Sequence, residues 1–311
     1  MIDRRALMLA TAALGACSRG TPAVNGDVLA AGQPAAILIW ALAPQRLIGW
    51  PRRPSDKALA LLPDTAAGLP QTGALVSGGA PMGLEAAAAF EPALILDYGD
   101  LDAADLAVAR QVRERLDAPY RLIDGALERI PEALVEAGGL LGASERAQGL
   151  ADLARVLLSA PSTSGAQAFY YARGADGLET AFQGALATEV LERSGWSNVA
   201  TGGADIGRVS REQVLAWDPE VVVTLDRRFA ETAADDPVWR ARPGGGRRRL
   251  LLLPDAPFGW IDRPPSINRL LGLAWMAQPD NLDRLGALIE RLFGRAPSAA
   301  QMAALAPRWI A

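Results

Sequence analysis

Residues 83–97 read GLEAAAAFEPALILD, and residues 207–223 read GRVSREQVLAWDPEVVV. In each stretch an acid, Glu85 or Glu212, stands in the first turn of an expected helix, where the positive end of the helix dipole favours it. In each, an acid–proline pair stops that helix: Glu91-Pro92 in one, Asp218-Pro219 in the other. A short unbroken apolar run follows, which suits a strand buried on both faces. Helix, proline stop and buried strand form the repeating unit of a parallel sheet covered by helices. Its occurrence twice predicts two lobes built alike.

Working outward, the run AAILIW at 35–40 reads as a buried strand, followed by a short helix at 45–48 and a loop-rich stretch at 51–82. Beyond the strand at 93–97 lie an expected helix at 100–116, with acids early and arginines late, and a strand at 119–123. Residues 129–158 carry a helical apolar stripe through Leu134, Leu141, Ala147, Leu150, Ala154 and Leu157. A continuous helix there would reach about 45 Å, with Gly138-Gly139 and Gly142 as the places for a kink. The second half repeats the alternation. Strands are expected at 166–171, 219–225 and 249–253, and helices at 185–194, after the candidate N-cap Ser210, at 264–277 and at 282–293. The predicted fold is α/β: two Rossmann-like lobes, each with a mainly parallel sheet, joined by one long interdomain helix. The boundaries are 34–128 for the first lobe, 129–160 for the linking helix and 161–311 for the second lobe with its closing helices.

The chain opens MIDRRALMLATAALGAC. Arg4 and Arg5 precede a short apolar run, the pattern of an export signal of the Sec or twin-arginine type at 1–16. Leu14-Gly15-Ala16-Cys17 is similar to a bacterial lipobox, with lipid carried on Cys17 and a flexible tether over 17–33. The expected location is the periplasmic face of the envelope, with membrane contact through the lipid anchor only.

Composition narrows the function. Of 311 residues 50% are hydrophobic, so a large core is available, and the net charge of −4 disfavours a nucleic-acid partner. With no histidine and one cysteine, imidazole bases, Ser-His pairs, His-containing zinc sites and internal disulfides are all excluded. Neither a catalytic constellation nor a metal site is expected, and no cofactor.

The two opening stretches resemble the helix–Pro–strand elements in the two lobes of periplasmic substrate-binding proteins for iron–siderophore complexes and cobalamin. GALATEVLERSGWSNVA (184–200) and DRPPSINRLLGLAWMA (262–277) are similar to that family's later segments. The likeness runs from about residue 35 to 277. It implies a class III periplasmic binding protein-like fold, a ligand held between the lobes, and delivery to an ABC permease and ATPase complex by a monomer. It also implies that one carboxylate per lobe docks on permease arginines, and the matching positions are Glu85 and Glu212. Their first-turn placement is an alternative explanation of both acids.

Ligands of open α/β sheets gather at the carboxyl ends of strands. That rule selects Trp40, Tyr98, Tyr171, Arg173, Arg227, Trp260 and Arg263 as ligand residues. Indole faces and guanidinium forks suit a flat or anionic metal chelate, with a ferric siderophore first. The resemblance implies tryptophans before both docking acids in a cobalamin binder. Here those places read SGGAPMG and GGADIGRV, which puts cobalamin second. Haem would need Tyr, Met or Cys as axial ligand. Two readings of other classes stay open: an exported hydrolase using Asp226 and Asp262 as cleft carboxylates, and an anchored partner-binding protein that has lost its ligand. Arg247-Arg248-Arg249 reads as a solvated turn.

Overall fold

The computed structural model describes residues 26–310 apart from 77–79, 102, 117, 162–164 and 244. The export signal and Cys17 lie outside the described residues. In the first lobe, β1 (Val28–Ala30), β2 (Leu94–Gly99) and β3 (Tyr120–Asp124) form a parallel sheet in the order β1-β2-β3. Helix α1 (Gln33–Leu42) follows β1, and α2 (Asp56–Leu59) and α3 (Thr65–Gly68) are single turns. Helix α4 (Leu84–Ala88) precedes β2, and α5 (Ala103–Arg115) connects β2 to β3. Helices α6 (Ile130–Leu141) and α7 (Ser144–Ser159) lead to the second lobe.

The second sheet contains β4 (Ala168–Ala172), β6 (Ser197–Asn198), β8 (Val221–Thr224), β9 (Arg249–Leu252) and β10 (Arg308–Ile310), in the order β10-β9-β8-β4-β6. Only β10 runs antiparallel to its neighbour. Beside it, β5 (Glu179–Ala181) and β7 (Ile206–Arg208) make a two-stranded antiparallel ribbon. The covering helices are α8 (Glu189–Arg193), α9 (Arg211–Trp217), α10 (Arg227–Ala233) and α11 (Pro237–Arg240). Three closing helices follow: α12 (Arg269–Ala277), α13 (Leu282–Phe293) and α14 (Ala299–Leu305).

Alternation along the strands sorts the apolar side chains into a shared core and two outer ones. Val28, Ala30, Leu96 and Tyr98 of the first sheet join Phe169, Tyr171, Val221, Val223 and Leu251 of the second in one continuous core. The opposite faces carry Leu29, Ile95 and Tyr120 in one lobe, and Tyr170, Ala172, Val222 and Leu250 in the other. A helix whose residues are buried on every side must be apolar all round. That is α1, in which nine of ten residues are buried.

Three expectations change. Residues 35–40 are helix, and the first strand is Val28–Ala30, inside the stretch read as tether. Periodicity cannot separate a wholly buried helix from a buried strand, whereas Pro34 in the first turn is a helix-start signal that fits the outcome. The linking segment is helical but in two pieces. Gly142 takes a left-handed C-cap (φ 66°) and the Ala143 N–H closes on the Gly138 carbonyl at 2.8 Å. The chain then turns so sharply that a Cβ on Gly138 would lie 2.2 Å from the Ala147 Cβ. Finally, Arg248 is not a solvated turn residue. It is fully buried and donates to the carbonyls of Pro219, Val238 and Ala241 and to Asp218.

The closing helices return to the first lobe. The Trp40 indole N–H donates to the Phe293 carbonyl at 3.3 Å, Arg295 pairs with Asp64 at 2.7 Å, and Gln301 donates to the Ala60 carbonyl at 3.1 Å.

Candidate ligand cleft and docking face

In a parallel unit, a helix that precedes a strand runs antiparallel to it, so the helix N-terminus lies at the strand's carboxyl end. Helices α4 and α9 stand in this relation to β2 and β8. Glu85 and Glu212, each exposed and in the first turn, therefore sit on the face where the sheets present their carboxyl ends. Ser210 caps α9 in a reciprocal capping box with Gln213. Backbone N–H and the Ser210 hydroxyl hold the Glu212 carboxyl below its ordinary range, so it is charged at neutral pH.

On the second lobe, several expected residues converge where β4 and β8 end. Tyr171 donates its hydroxyl proton to Asp262 Oδ2 at 2.9 Å. The same carboxylate oxygen lies 3.2 Å from Arg173 Nε, and Glu179 Oε1 lies 3.4 Å from it. Neither contact has hydrogen-bond geometry, and Arg173 Nε and Nη1 are both buried without a hydrogen-bond partner among the described residues. Burial, with Asp262 adding to it, pushes the Tyr171 hydroxyl well above its ordinary pKa, so it stays protonated. Arg263 has a left-handed backbone (φ 67°), which a long side chain adopts only at a cost. Its guanidinium is 3.7 Å from Asp226 Oδ2. Asp226 is otherwise the cap of α10, accepting from the N–H groups of Arg228 and Phe229. Arg227 is exposed in the first turn of α10.

The other expected ligand residues are elsewhere. Trp40 is 3% exposed inside α1, with its ring 5.2 Å from that of Trp50. Trp260 is fully buried and donates to the Ala256 carbonyl. Both indoles are core residues and offer no stacking platform. Tyr98 is 2% exposed and its hydroxyl meets Arg269 at 3.4 Å.

Sequence reasoning missed Arg269. This fully buried residue of α12 donates to the Gly125 carbonyl beyond β3, to the Leu186 and Ser266 carbonyls, and to Glu189. Glu189 in turn accepts from the Leu127 N–H at 2.9 Å. Burial raises the Glu189 pKa, and Arg269 opposes that rise. Further ties run from Ser266 to the Pro34 carbonyl at 2.8 Å, from Arg193 to Glu128 at 2.7 Å and from Lys57 to Asp255 at 2.6 Å. The lobes are thus joined by hydrogen bonds and ion pairs along the floor between them. A cavity of about 20 Å³ beside Lys57, Arg227 and Asp255 has room for a single water. The larger hollows, about 630 Å³ at Gln278–Asp283 and about 280 Å³ at Glu91, Pro92 and Arg115, contain none of the expected ligand residues. Among the described residues no group of three His, Cys, Asp or Glu side chains is placed to hold a metal ion, and no helix is long and apolar enough to cross a membrane.

No protein-family model matches the chain, and no curated protein matches it. Solved structures do. An ABC transporter solute binding protein from Sulfurospirillum deleyianum superposes with a TM-score of 0.75 at 24% identity, covering 91% of this chain and 94% of that one. The chain has the class III solute-binding fold. The molybdate periplasmic binding protein MolA of Haemophilus influenzae, bound to molybdate, shares the fold with a TM-score of 0.63 at 16% identity, over 88% of this chain and 95% of that one. A periplasmic heme binding protein from Pseudomonas aeruginosa does so with a TM-score of 0.56 at 20% identity, over 91% and 97%. The solute-binding fold therefore accommodates ligands as unlike as a compact oxyanion and a planar macrocycle, and residues rather than fold decide between them.

Proposed function

We propose that this chain is the extracytoplasmic solute-binding component of an ABC importer, anchored by lipid on Cys17 at the periplasmic face. It captures a metal chelate, a ferric siderophore foremost, and hands it to the permease and ATPase complex as a monomer without chemistry of its own. One observation carries the reading: the chain places an exposed acid in a first helical turn at the strand-end face of each lobe, Glu85 and Glu212. Two such charges set register and steer encounter with a basic partner, while contributing little to stability where they stand.

Two ligand classes fit less well. Among the described residues no side chain is presented as an axial ligand for haem: histidine is absent from the sequence, the hydroxyls of Tyr98, Tyr120, Tyr170 and Tyr171 are buried in hydrogen bonds, and Met82, Met276 and Met302 are buried. Cobalamin is left behind for want of tryptophans beside the docking acids. The hydrolase reading loses its acids to structure, since Asp226 caps a helix and Asp262 holds Tyr171.

The deciding experiment is charge reversal at Glu85 and Glu212 in the full chain. The expected result is ligand affinity within about twofold of the parent and uptake lost in cells. Full uptake by the doubly reversed chain would refute docking through these acids.

A further inference from the structure

The geometry points to a one-sided anchor for the ligand: two guanidinium groups of the second lobe alone, Arg173 and Arg263, grip a compact ligand through anionic oxygen, with no aromatic stacking. The inference rests on the solute-binding reading and narrows its ligand class.

The argument begins with what the first lobe can offer. Its β2 and β3 end at Gly99 and Asp124, the places where a ligand would normally touch this sheet. The Arg269 side chain already occupies that position, bonded to the Gly125 carbonyl and to the Tyr98 hydroxyl, with Glu189 behind it. The position beside Gly125 and the Tyr98 hydroxyl is therefore filled by a side chain of the second lobe, while Asp100 and Asp124 leave only carboxylates at the remaining edge.

The second lobe differs. Arg173 is held by Asp262 and Glu179 on its Nε edge, and its buried Nη1 still lacks an acceptor. An unmet buried donor is destabilising, so an incoming acceptor oxygen is favoured there. Arg263 is bound no more tightly than 3.7 Å, to a carboxylate already spent on capping α10. The carboxylates within reach are all engaged, leaving guanidinium capacity in surplus. Guanidinium groups bind carboxylate, catecholate or oxometalate oxygens in charge-assisted pairs. Nothing flat is provided for. Trp40 and Trp260 lie in the core, and Tyr98 and Tyr171 are at most 2% exposed.

The test uses the full chain, thermal unfolding and titration calorimetry, and four probes. Ferric citrate and molybdate are compact and anionic, ferrichrome is a neutral ferric chelate, and hemin is planar. The expected result is saturable binding of an anionic probe, weakened by salt. Arg173→Gln or Arg263→Gln should weaken it at least about tenfold, and the distant surface change Arg155→Gln should not. Should Arg173→Gln fail to fold, Arg263→Gln decides, because that side chain is partly exposed. Tighter binding of ferrichrome or hemin than of either anion, or full affinity in both variants, overturns the guanidinium anchor and leaves the solute-binding reading standing. A flat response to all four probes from folded protein overturns both.

Discussion

Glu91 and Asp218 share one backbone conformation: φ is 46° at the first and 42° at the second, and each stands directly before a proline that leads into a parallel strand. The two lobes therefore repeat their helix exits as well as their sequence pattern. Left-handed backbone costs an ordinary L-residue roughly 1–2 kcal/mol, and asparagine and aspartate least. The two sites manage that cost differently.

Glu91 is exposed and has no ion pair among the described residues. The expected outcome of Glu91→Asn is therefore stabilisation by about 0.5–1 kcal/mol, read as a higher urea midpoint with an unchanged slope. A lower midpoint would mean that the glutamate side chain holds something in place.

Asp218 is bound by Arg242 and by the buried Arg248. The hydrogen bond from Arg242, then that from Arg248, holds its carboxyl below the ordinary value of 3.8. Its contribution is thus complete above that value and is lost as pH falls towards the lower folded-state pKa. Asp218→Asn keeps a residue that tolerates the left-handed turn and removes only the charge. It should cost about 2 kcal/mol at neutral pH. The gap between variant and parent should shrink below about pH 4, and urea unfolding across pH reads both.

Arg269, buried, and Glu189, half-buried, form the rivet between the lobes. Arg269→Met strands a half-buried carboxylate, with an expected loss of about 2–3 kcal/mol at neutral pH. The sign with pH is opposite to that at Asp218. A folded-state carboxyl pKa raised above 4.5 removes stability as pH climbs through that interval, so the variant should recover towards pH 4.5. Adding Glu189→Gln should restore at least about 1 kcal/mol, and strict additivity of the two changes would refute the coupling.

Gly138 and Gly139 make a matched pair within α6. A methyl on Gly138 meets Ala147 at 2.2 Å, whereas one on Gly139 meets nothing within 4 Å. Gly139→Ala should stabilise by about 0.5–1 kcal/mol through helix propensity. Gly138→Ala should instead destabilise by about 1–3 kcal/mol by overpacking. Calorimetric melting of the two variants checks the contrast.

Much of the fold was legible because parallel strands announce themselves as short apolar runs, three of the four below just after a proline. The runs at 94–99, 120–124, 221–224 and 249–252 all lie within a residue or two of their expected places. Ser210 was legible as a cap because its chemistry is local. The run at 35–40 was not, because a helix buried on every side has no polar face to mark its period. Placing Trp40 at a strand end followed from that misreading. Arg248 and Arg269 gave no signal at all: what makes a buried arginine tolerable is a set of carbonyls 3–144 positions away, including Ala241 for one and Gly125 for the other. Tyr171, Arg173 and Arg263 were selected by a rule of topology, and their contacts with Asp262 and Asp226 depend on the loop that carries residues 254–264.

Helix α13 closes the floor of the first lobe from the far end of the chain, with Phe293 receiving the Trp40 indole proton. A ribosome making this protein releases β1 to β3 long before that floor exists. Until α13 forms, the side of α1 that packs against it stays open, although β2 and α6 already cover the rest. Slow or interrupted synthesis near the end would therefore expose the oldest part of the polypeptide, and truncation there should send it to proteolysis first.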